Sequence, residues 1–246
     1  MLKREDLRIV PLSDYTEKIE KGEVFSVVRY GDGEWFSILQ CSRRPCNSDH
    51  HRYYKALGEE LAVLLHGPQK YDFGFGPVTF KSIGGNRVPK YLAEQKIERD
   101  WICASIFARA AIQRKVLPFL QALQKKPLVF VGPDRIRPAA KLLKATHFVP
   151  VPLVNAYTEL HRVAEQTLQA LEQTPKPAVC SIAMGIPAAL LVEKIHQRFG
   201  DEVWGLDIGS IYEPLVGVAV RAYHRELLQK YPGYIRSLKE ELAKAP

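Results

Sequence analysis

The chain has 246 residues, of which 46% are hydrophobic and 25% are charged, and its formal net charge is +8. This composition excludes an intrinsically disordered chain, which would have fewer apolar residues and a more one-sided charge. The positive charge indicates an anionic partner: nucleic acid, anionic lipid or a phosphorylated small molecule.

Short apolar runs alternate with longer amphipathic runs along the chain. The short runs predict strands buried on both faces, at Val24–Arg29, Leu128–Val131, Phe148–Val151, Ala178–Ile182 and Val203–Leu206. The amphipathic runs predict helices, at 49–66, 104–124, 134–145, 158–173 and 186–199. This alternation predicts an α/β fold with a mostly parallel sheet and helices on both of its faces.

The end of the chain continues beyond the last predicted strand. The stretch Tyr223–Lys244 has a helical pattern that is interrupted near Pro232. We therefore expect one domain over 1–217 and a C-terminal helical tail over 218–246 that packs on it.

No apolar run approaches the roughly 20 residues that a membrane-spanning helix needs. The first residues are charged and lack the apolar region of a secretory signal. Four cysteines are too few for a disulfide framework, and their spacing does not complete a zinc site. We expect free thiols, no membrane span and a cytoplasmic location.

In a parallel α/β fold, ligands bind beyond the carboxyl ends of the strands, so residues that follow each strand are the candidate site. After the first strand the chain reads Arg29-Tyr-Gly-Asp32-Gly-Glu34. If the backbone is extended there, Asp32 and Glu34 point to the same side. Two such carboxylates could hold Mg²⁺ or Mn²⁺, which prefer oxygen ligands, and Arg29 could contact a phosphate. A plain turn explains the same residues equally well, since Asp-Gly is a common turn signal.

Three further strand ends carry weaker signals. Gly132 and Arg135 begin either an anion-binding helix N-terminus or an ordinary capped helix. Gly185 lies in a turn that often serves packing alone. Asp207 could orient a sugar hydroxyl, act as a base or cap a turn. The phosphate loop, the dinucleotide fingerprint, the nucleophile elbow and the zinc-protease helix are absent, which disfavours the enzyme classes that use them.

The stretch Arg29-Tyr-Gly-Asp32-Gly-Glu34 resembles the GT-D-type glycosyltransferases. The resemblance continues in Val129–Pro133, Val151–Tyr157 and Leu206–Gly209, in the order that the family has them. It therefore spans about residues 24 to 210, most of the chain. Two features depart from the family pattern: Ser210 stands where relatives often have histidine, and the tail after about Gly217 has no counterpart.

This resemblance implies a Rossmann-like fold and transfer of a sugar from a UDP-sugar-like donor to a hydroxyl acceptor with Mn²⁺ or Mg²⁺. The acceptor would be a glycan, a glycosylated protein or modified DNA. By position, Asp32 and Glu34 would bind the metal and join Asp207 as catalytic candidates. The donor would lie near Arg29, Tyr30, Gly31, Gly33, Gly132, Arg135, Asn155 and Gly185. The general base stays open among Asp207, Glu213, Asp72 and His50.

A nucleic-acid-binding protein without sugar chemistry is the main alternative, and an inactive interaction module is a third. Residues 101–158 contain nine Lys or Arg and one acid, a local charge of 9 − 1 = +8. We expect this basic segment to form a phosphate-facing wall around Gly132. A polyanionic acceptor is the alternative ligand for this wall.

Overall fold

The computed structural model describes residues 2–47 and 50–244. Within these residues the strands are β1 Val27–Tyr30, β2 Asp72–Phe75, β3 Trp101–Cys103, β4 Leu128–Pro133, β5 His147–Val151, β6 Ala178–Ile182 and β7 Val203–Asp207. The helices are α1 Leu12–Lys21, α2 Asp32–Leu39, α3 Lys55–His66, α4 Thr79–Ser82, α5 Arg87–Glu94, α6 Ile106–Ile112, α7 Leu117–Gln124, α8 Arg137–Leu142, α9 Leu160–Glu172, α10 Ala188–Phe199, α11 Ala222–Lys230 and α12 Pro232–Lys244.

The strands form one parallel sheet in the order β3-β2-β1-β7-β6-β4-β5 over the described part of the chain. Each face of the sheet carries its own apolar core, and side chains alternate between the two cores along a strand. In β4, for example, Val129 faces one core and Phe130 the other. The predicted parallel α/β fold with helices on both faces is therefore confirmed.

A block of buried aromatic rings supports the β1–β3 half of the sheet. Trp35 of α2 contacts Tyr30, Phe75 and Trp101, with ring centroids 5.7, 5.8 and 6.2 Å apart. Truncating a buried aromatic side chain costs about 3–5 kcal/mol, so these contacts hold α2 firmly on the sheet. On its other side α2 lies so close to α3 that a Cβ at Gly58 would be 2.0 Å from the Ser37 carbonyl oxygen. The start of α2 is thereby fixed in position.

Several predicted boundaries are wrong. β1 begins at Val27 rather than Val24, and the first predicted helix begins at Lys55 rather than 49, a residue outside the described ranges. The stretch 104–124 contains two helices, because Arg114 adopts a left-handed conformation (φ 59°) and α7 starts anew with Pro118 in its first turn. β2 and β3 are missing from the prediction, since runs of four and three residues give too little periodicity to recognise.

The C-terminal tail packs on one face of the sheet. α11 contacts α6, and α12 contacts α7 and α8. Leu227, Ile235, Leu238 and Leu242 are buried in the same core as these helices. The interruption of the tail lies at Tyr231, and Pro232 begins α12. None of the described helices combines the length and the apolar character needed to cross a membrane.

Candidate functional site

A cleft of about 620 Å³ opens at the carboxyl edge of the sheet. Residues at or just beyond the carboxyl end of each strand line it: Gly31, Pro77, Ser105, Pro133, Pro152, Gly185 and Gly209, in order from β1 to β7. This is the edge at which parallel α/β folds bind ligands. The cleft therefore lies where the sequence predicts a site.

Asp32 and Glu34 both line this cleft, but the extended arrangement predicted for them is wrong. α2 begins at Asp32, so the two side chains leave a helix roughly 200° apart instead of pointing to one side. The Gly31 N–H donates to Glu34 Oε2 at 2.8 Å, and the Gly33 N–H donates to Asp32 Oδ1 at 3.0 Å. Carboxylates at a helix N-terminus satisfy backbone N–H groups that have no partner within the helix. This capping role favours the helix directly after β1.

The two carboxylates differ in environment. Asp32 is exposed, whereas Glu34 is partly buried behind it. Burial raises the pKa of Glu34 to about 7, with Asp207 and Asp32 adding to the shift and Arg29 opposing it. Glu34 is therefore close to half-protonated at neutral pH.

The donor set suits a divalent ion that completes its coordination with substrate. No group of three or more His, Cys, Asp or Glu side chains within residues 2–47 and 50–244 is arranged to hold a metal. Mg²⁺ is commonly bound by one or two carboxylates together with water and substrate phosphates. Asp32 and Glu34, which line one cleft, fit that kind of site rather than a closed protein cage.

Asp207 holds the Arg29 guanidinium in place through an ion pair. Its Nη2 donates to Asp207 Oδ1 at 2.7 Å, and the Asp207 side chain is only 3% exposed. A Cβ at Gly209, which has φ +69°, would lie 2.4 Å from the same nitrogen, so glycine is required there. Arg29 lines the cleft and is 28% exposed. Asp207 does not line the cleft, so it positions Arg29 and is poorly placed to act as a base.

Two residues predicted to contact a donor lie in the core instead. Tyr30 is fully buried, and its hydroxyl donates to the Leu61 carbonyl oxygen at 3.0 Å. Gly132 is covered by Ile136, whose Cδ1 would be 2.6 Å from a Cβ at that position. Neither residue lines the cleft. Side-chain alternation explains Tyr30, since its neighbours Arg29 and Gly31 line the cleft.

Asn155 does not line the cleft and acts instead on His51, which does. It has a left-handed backbone (φ 57°), and its N–H donates to His51 Nδ1 at 3.1 Å. Its Oδ1 accepts the Arg52 N–H at 2.8 Å. Because Nδ1 is an acceptor, a neutral His51 carries its proton on Nε2. The His51 ring lines the cleft next to Gly185, where a Cβ would be 3.3 Å from its Cε1.

The candidate bases separate into two groups. Glu213 and His50 line the cleft. Asp72 lies at the start of β2, on the opposite edge of the sheet, where it accepts a hydrogen bond from the Tyr15 hydroxyl at 2.6 Å. Asp72 is therefore excluded as a base, and Asp207 is engaged with Arg29.

Glu213 forms an ion pair with Arg135, another cleft residue. The Nη2–Oε1 distance is 3.3 Å, and the Glu213 side chain is 6% exposed. Its Oε2 has no hydrogen-bond partner within the described residues. Burial raises the pKa of Glu213, and Arg135 opposes the rise.

The C-terminal tail also reaches the cleft. Val220, Arg221 and Tyr223, which precede or begin α11, line it beside Ser210. Sequence reasoning missed these residues because nothing in the local pattern connects the tail with the strand ends.

The basic segment does not form the expected wall around Gly132. Of its nine cations, all within the described residues, Arg135 alone lines the cleft. Lys125 and Lys126 precede β4 and Lys144 precedes β5, which places them at the opposite edge of the sheet. Lys126 lies over the Trp204 ring at 5.6 Å.

Comparison with known proteins gives matches among solved structures only. Neither the protein-family models nor the curated proteins contain a match. A structure described as "A New Glycosyltransferase (DUF1792) from Streptococcus sanguinis" is similar with a TM-score of 0.61 and 18% identity, over 91% of this chain and 85% of that chain. Another, described as "The highly conserved domain of unknown function 1792 has a distinct glycosyltransferase fold", has a TM-score of 0.57 and 17% identity, over 85% of this chain and 80% of that chain. The fold implied by the sequence resemblance is therefore confirmed.

Proposed function

We propose that this protein is a glycosyltransferase that moves a sugar from a nucleotide-sugar donor to a hydroxyl acceptor with the help of a divalent metal ion. The observation that best supports this proposal is the arrangement of charged side chains at one end of the cleft. A guanidinium fixed by a buried carboxylate, Arg29 on Asp207, lies at the end of the strand that leads into Asp32 and Glu34. The glycosyltransferase description of structures with the same fold supports the proposal.

The chemistry requires stabilisation of a leaving diphosphate. The bond between the anomeric carbon and the phosphate oxygen breaks, and its electron pair stays on that oxygen. Arg29 is fixed before the reaction and can meet this charge without reorganisation. The N-terminus of α10, which follows Gly185, points its partial positive charge at the same edge.

Asp32 and Glu34 would hold Mn²⁺ or Mg²⁺ through the oxygens that face the cleft. When bound, such an ion supplies Lewis-acid stabilisation of the diphosphate charge. The protein itself supplies the rigid start of α2, which Trp35 and Gly58 fix on the sheet and on α3.

The acceptor hydroxyl attacks the anomeric carbon and must lose its proton to a base. Glu213 and His50 are the candidates that line the cleft. Glu213 has the buried environment and the raised pKa that suit a general base. Glu213 pairs with Arg135 and lies in the segment that follows β7.

A hydrolysis screen tests the proposal. The protein is incubated with UDP-, GDP-, dTDP- and CMP-sugars in Mn²⁺, in Mg²⁺ and in EDTA, and nucleotide release is measured. We expect release from one nucleotide class in the presence of metal and none in EDTA. Absence of release and of nucleotide binding across the whole panel would refute the proposal, and release unaffected by EDTA would refute its metal component.

The nucleic-acid alternative predicts a different result. Electrostatic binding to plain duplex DNA weakens steeply as salt rises. Several cations of the basic segment are engaged within the protein, including Arg114 over the Tyr231 ring at 4.3 Å and Arg137 with Asp134 at 2.5 Å. We expect weak duplex binding, and tight, salt-sensitive binding would favour the alternative.

A further inference from the structure

A fully buried histidine in the tail lies directly behind the cleft. His224, in the first turn of α11, is 0% exposed, and the Arg221 N–H donates to its Nδ1 at 3.3 Å. Burial lowers the pKa of His224 to about 4, and the charge of Arg221 lowers it further. The ring is therefore neutral at pH 7. Since Nδ1 is an acceptor, its proton is on Nε2.

The Nε2–H of His224 faces Ser210, which connects it with the cleft. Nε2 lies 3.4 Å from Ser210 Oγ, and Ser210 Oγ lies 3.3 Å from the Tyr223 hydroxyl oxygen. Ser210 and Tyr223 line the cleft, whereas His224 does not. Burial raises the pKa of Tyr223 to about 12, so its hydroxyl stays protonated at neutral pH.

Two observations indicate the direction of this hydrogen-bond chain. His224 Nε2 donates towards Ser210, where Oγ and the backbone carbonyl are both acceptors. The side-chain hydrogen bond of Ser210 lowers the pKa of Tyr223, as expected when the Ser210 proton is directed to the Tyr223 oxygen. The Tyr223 proton then has no acceptor within the chain of three groups. It is available to a ligand in the cleft, and its direction is set by Ser210 and, through Ser210, by the buried His224.

The surroundings indicate the chemistry of that ligand. Arg29 and Arg221 are close enough to Tyr223 to lower its pKa, against the burial and Glu213, which raise it. Arg135 neutralises Glu213 at 3.3 Å. A hydroxyl donor beside two guanidinium groups suits an anionic oxygen.

We propose that Tyr223 donates a hydrogen bond to the diphosphate of the nucleotide-sugar donor, with Ser210 and His224 as the residues that position its hydroxyl. Tyr223 keeps its proton throughout and stabilises the charge left on the departing oxygen. The helical tail thereby completes the donor site as well as packing on the domain. This inference rests on the proposed function, because it concerns the same cleft and the same donor.

The first test is a double-mutant cycle on the two hydroxyls. Loss of one hydrogen bond to a charged group typically corresponds to roughly a 10- to 100-fold effect, so we expect Tyr223→Phe to lower kcat and UDP affinity by about that factor. Ser210→Ala should lower them several-fold in the wild-type background and have almost no effect in the Tyr223→Phe background. Equal effects of Ser210→Ala in both backgrounds would overturn the chain, because independent contacts contribute additively in free energy.

The second test separates orientation from packing at His224. Gln places its amide N–H near the position of Nε2, whereas Leu has no donor, and both lose the Nδ1 acceptor. We expect His224→Gln to keep activity within a few-fold of wild type and His224→Leu to match Ser210→Ala. Equal activity of the two variants would overturn the positioning role. If His224→Leu does not fold, as judged by its thermal melting curve, the hydroxyl cycle decides the question alone.

Different results would refute the proposed function and the role of Tyr223. The probe is UDP, replaced by whichever of GDP, dTDP or CMP the wild-type protein binds more tightly by calorimetry. A wild-type protein that binds none of these and releases none from its sugar conjugates overturns both the function and the inference. A wild-type protein that binds and turns over, with Tyr223→Phe unchanged in both respects, overturns the inference alone.

Discussion

Two walls of the cleft are built on different principles. The first-strand wall, residues 29–35, is one continuous stretch in which a strand leads into a helix backed by buried aromatic rings. The tail wall, residues 207–224, combines the loop after β7 with the start of α11. Its ion pairs reach across 78 and 178 positions of the chain, from Glu213 to Arg135 and from Asp207 to Arg29.

This difference separates the tasks of the two walls. The first-strand wall places carboxylates on a rigid element, which suits an ion that tolerates little displacement. The tail wall supplies the carboxylates of Asp207 and Glu213, which hold the distant Arg29 and Arg135, together with the Ser210 and Tyr223 hydroxyls. Asp207 links the walls, since it belongs to the tail wall and holds Arg29 of the first-strand wall. Substitution of the exposed Asp32 should therefore affect mainly chemistry, whereas substitution of the buried Asp207 should affect chemistry together with stability.

The largest expected effect concerns the first-strand wall. Asp32→Asn and Glu34→Gln should each lower metal-dependent turnover by about 100-fold or more, because each removes a charged oxygen from the proposed ion site. Asp32 is exposed, so the thermal midpoint of Asp32→Asn should stay close to wild type. The measurement is nucleotide release at saturating Mn²⁺. Asp201→Asn, an exposed change two residues before β7, is the control. Unchanged turnover in either site variant would refute the ion site.

The link between the walls should affect both stability and activity. Asp207→Asn leaves the partly buried Arg29 without its ionic partner, which for buried pairs costs about 3–5 kcal/mol. We also expect a loss of roughly 10- to 100-fold in kcat/KM, since a displaced guanidinium no longer meets the phosphate. Urea unfolding and initial rates measure the two effects.

An exposed ion pair provides the matched control for Asp207. Arg8 and Asp100 are 3.0 Å apart but 49% and 65% exposed. Asp100→Asn should cost less than about 1 kcal/mol, as exposed pairs do. Similar losses in the free energy of unfolding for Asp207→Asn and Asp100→Asn would show that burial does not strengthen the Arg29–Asp207 pair.

Asn155 belongs to neither wall, and its substitution should have a smaller effect on activity. Asn155→Gly keeps the left-handed backbone and removes the acceptor of the Arg52 N–H. We expect KM for the donor to rise by roughly 5- to 10-fold, because one hydrogen bond of about 1 kcal/mol no longer holds the His51 segment. Asn155→Ala should add about 1 kcal/mol of destabilisation through backbone strain. A KM unchanged in Asn155→Gly would mean that the hydrogen bond between Asn155 and Arg52 does not help to shape the donor site.

The sequence predicts the sheet and the first-strand wall because both are local. Continuous apolar runs mark β4, β6 and β7, and Asp32 and Glu34 follow β1 within a few residues. The helical start of α2 was missed, since glycines flank Asp32 and the capping bond from Gly31 to Glu34 decides the conformation. Short strands such as β2 are buried because neighbouring strands flank them. Their own sequence is too short to show a recognisable pattern.

The tail wall could not be predicted because its contacts are tertiary. Tyr223 and His224 belong to a helix that reads as an appendage, and the packing of α11 on α6 and on the turn that follows β7 brings them to Ser210. Asn155 was placed at the donor by resemblance, yet its role through His51 depends on a hydrogen bond between residues 104 positions apart. The predicted basic wall around Gly132 is wrong for the same reason. The net charge of a chain segment does not say at which edge of the sheet its residues lie.

The last expected effect is a pH dependence of stability that belongs to the first-strand wall. Glu34 has its pKa raised from 4.5 to about 7, so the folded protein holds a proton that the unfolded chain releases between these values. Stability should therefore fall as pH rises from about 4.5 to about 7, by on the order of 1–2 kcal/mol once partial exposure is allowed for. Glu34→Gln cannot titrate and should lack this component. The difference between wild type and Glu34→Gln in urea midpoint, measured without metal at pH 5, 6 and 7.5, should thus shift in favour of the variant as pH rises. A difference independent of pH would mean that Glu34 is ionised throughout, as expected if solvent or the helix N-terminus fully stabilises its charge.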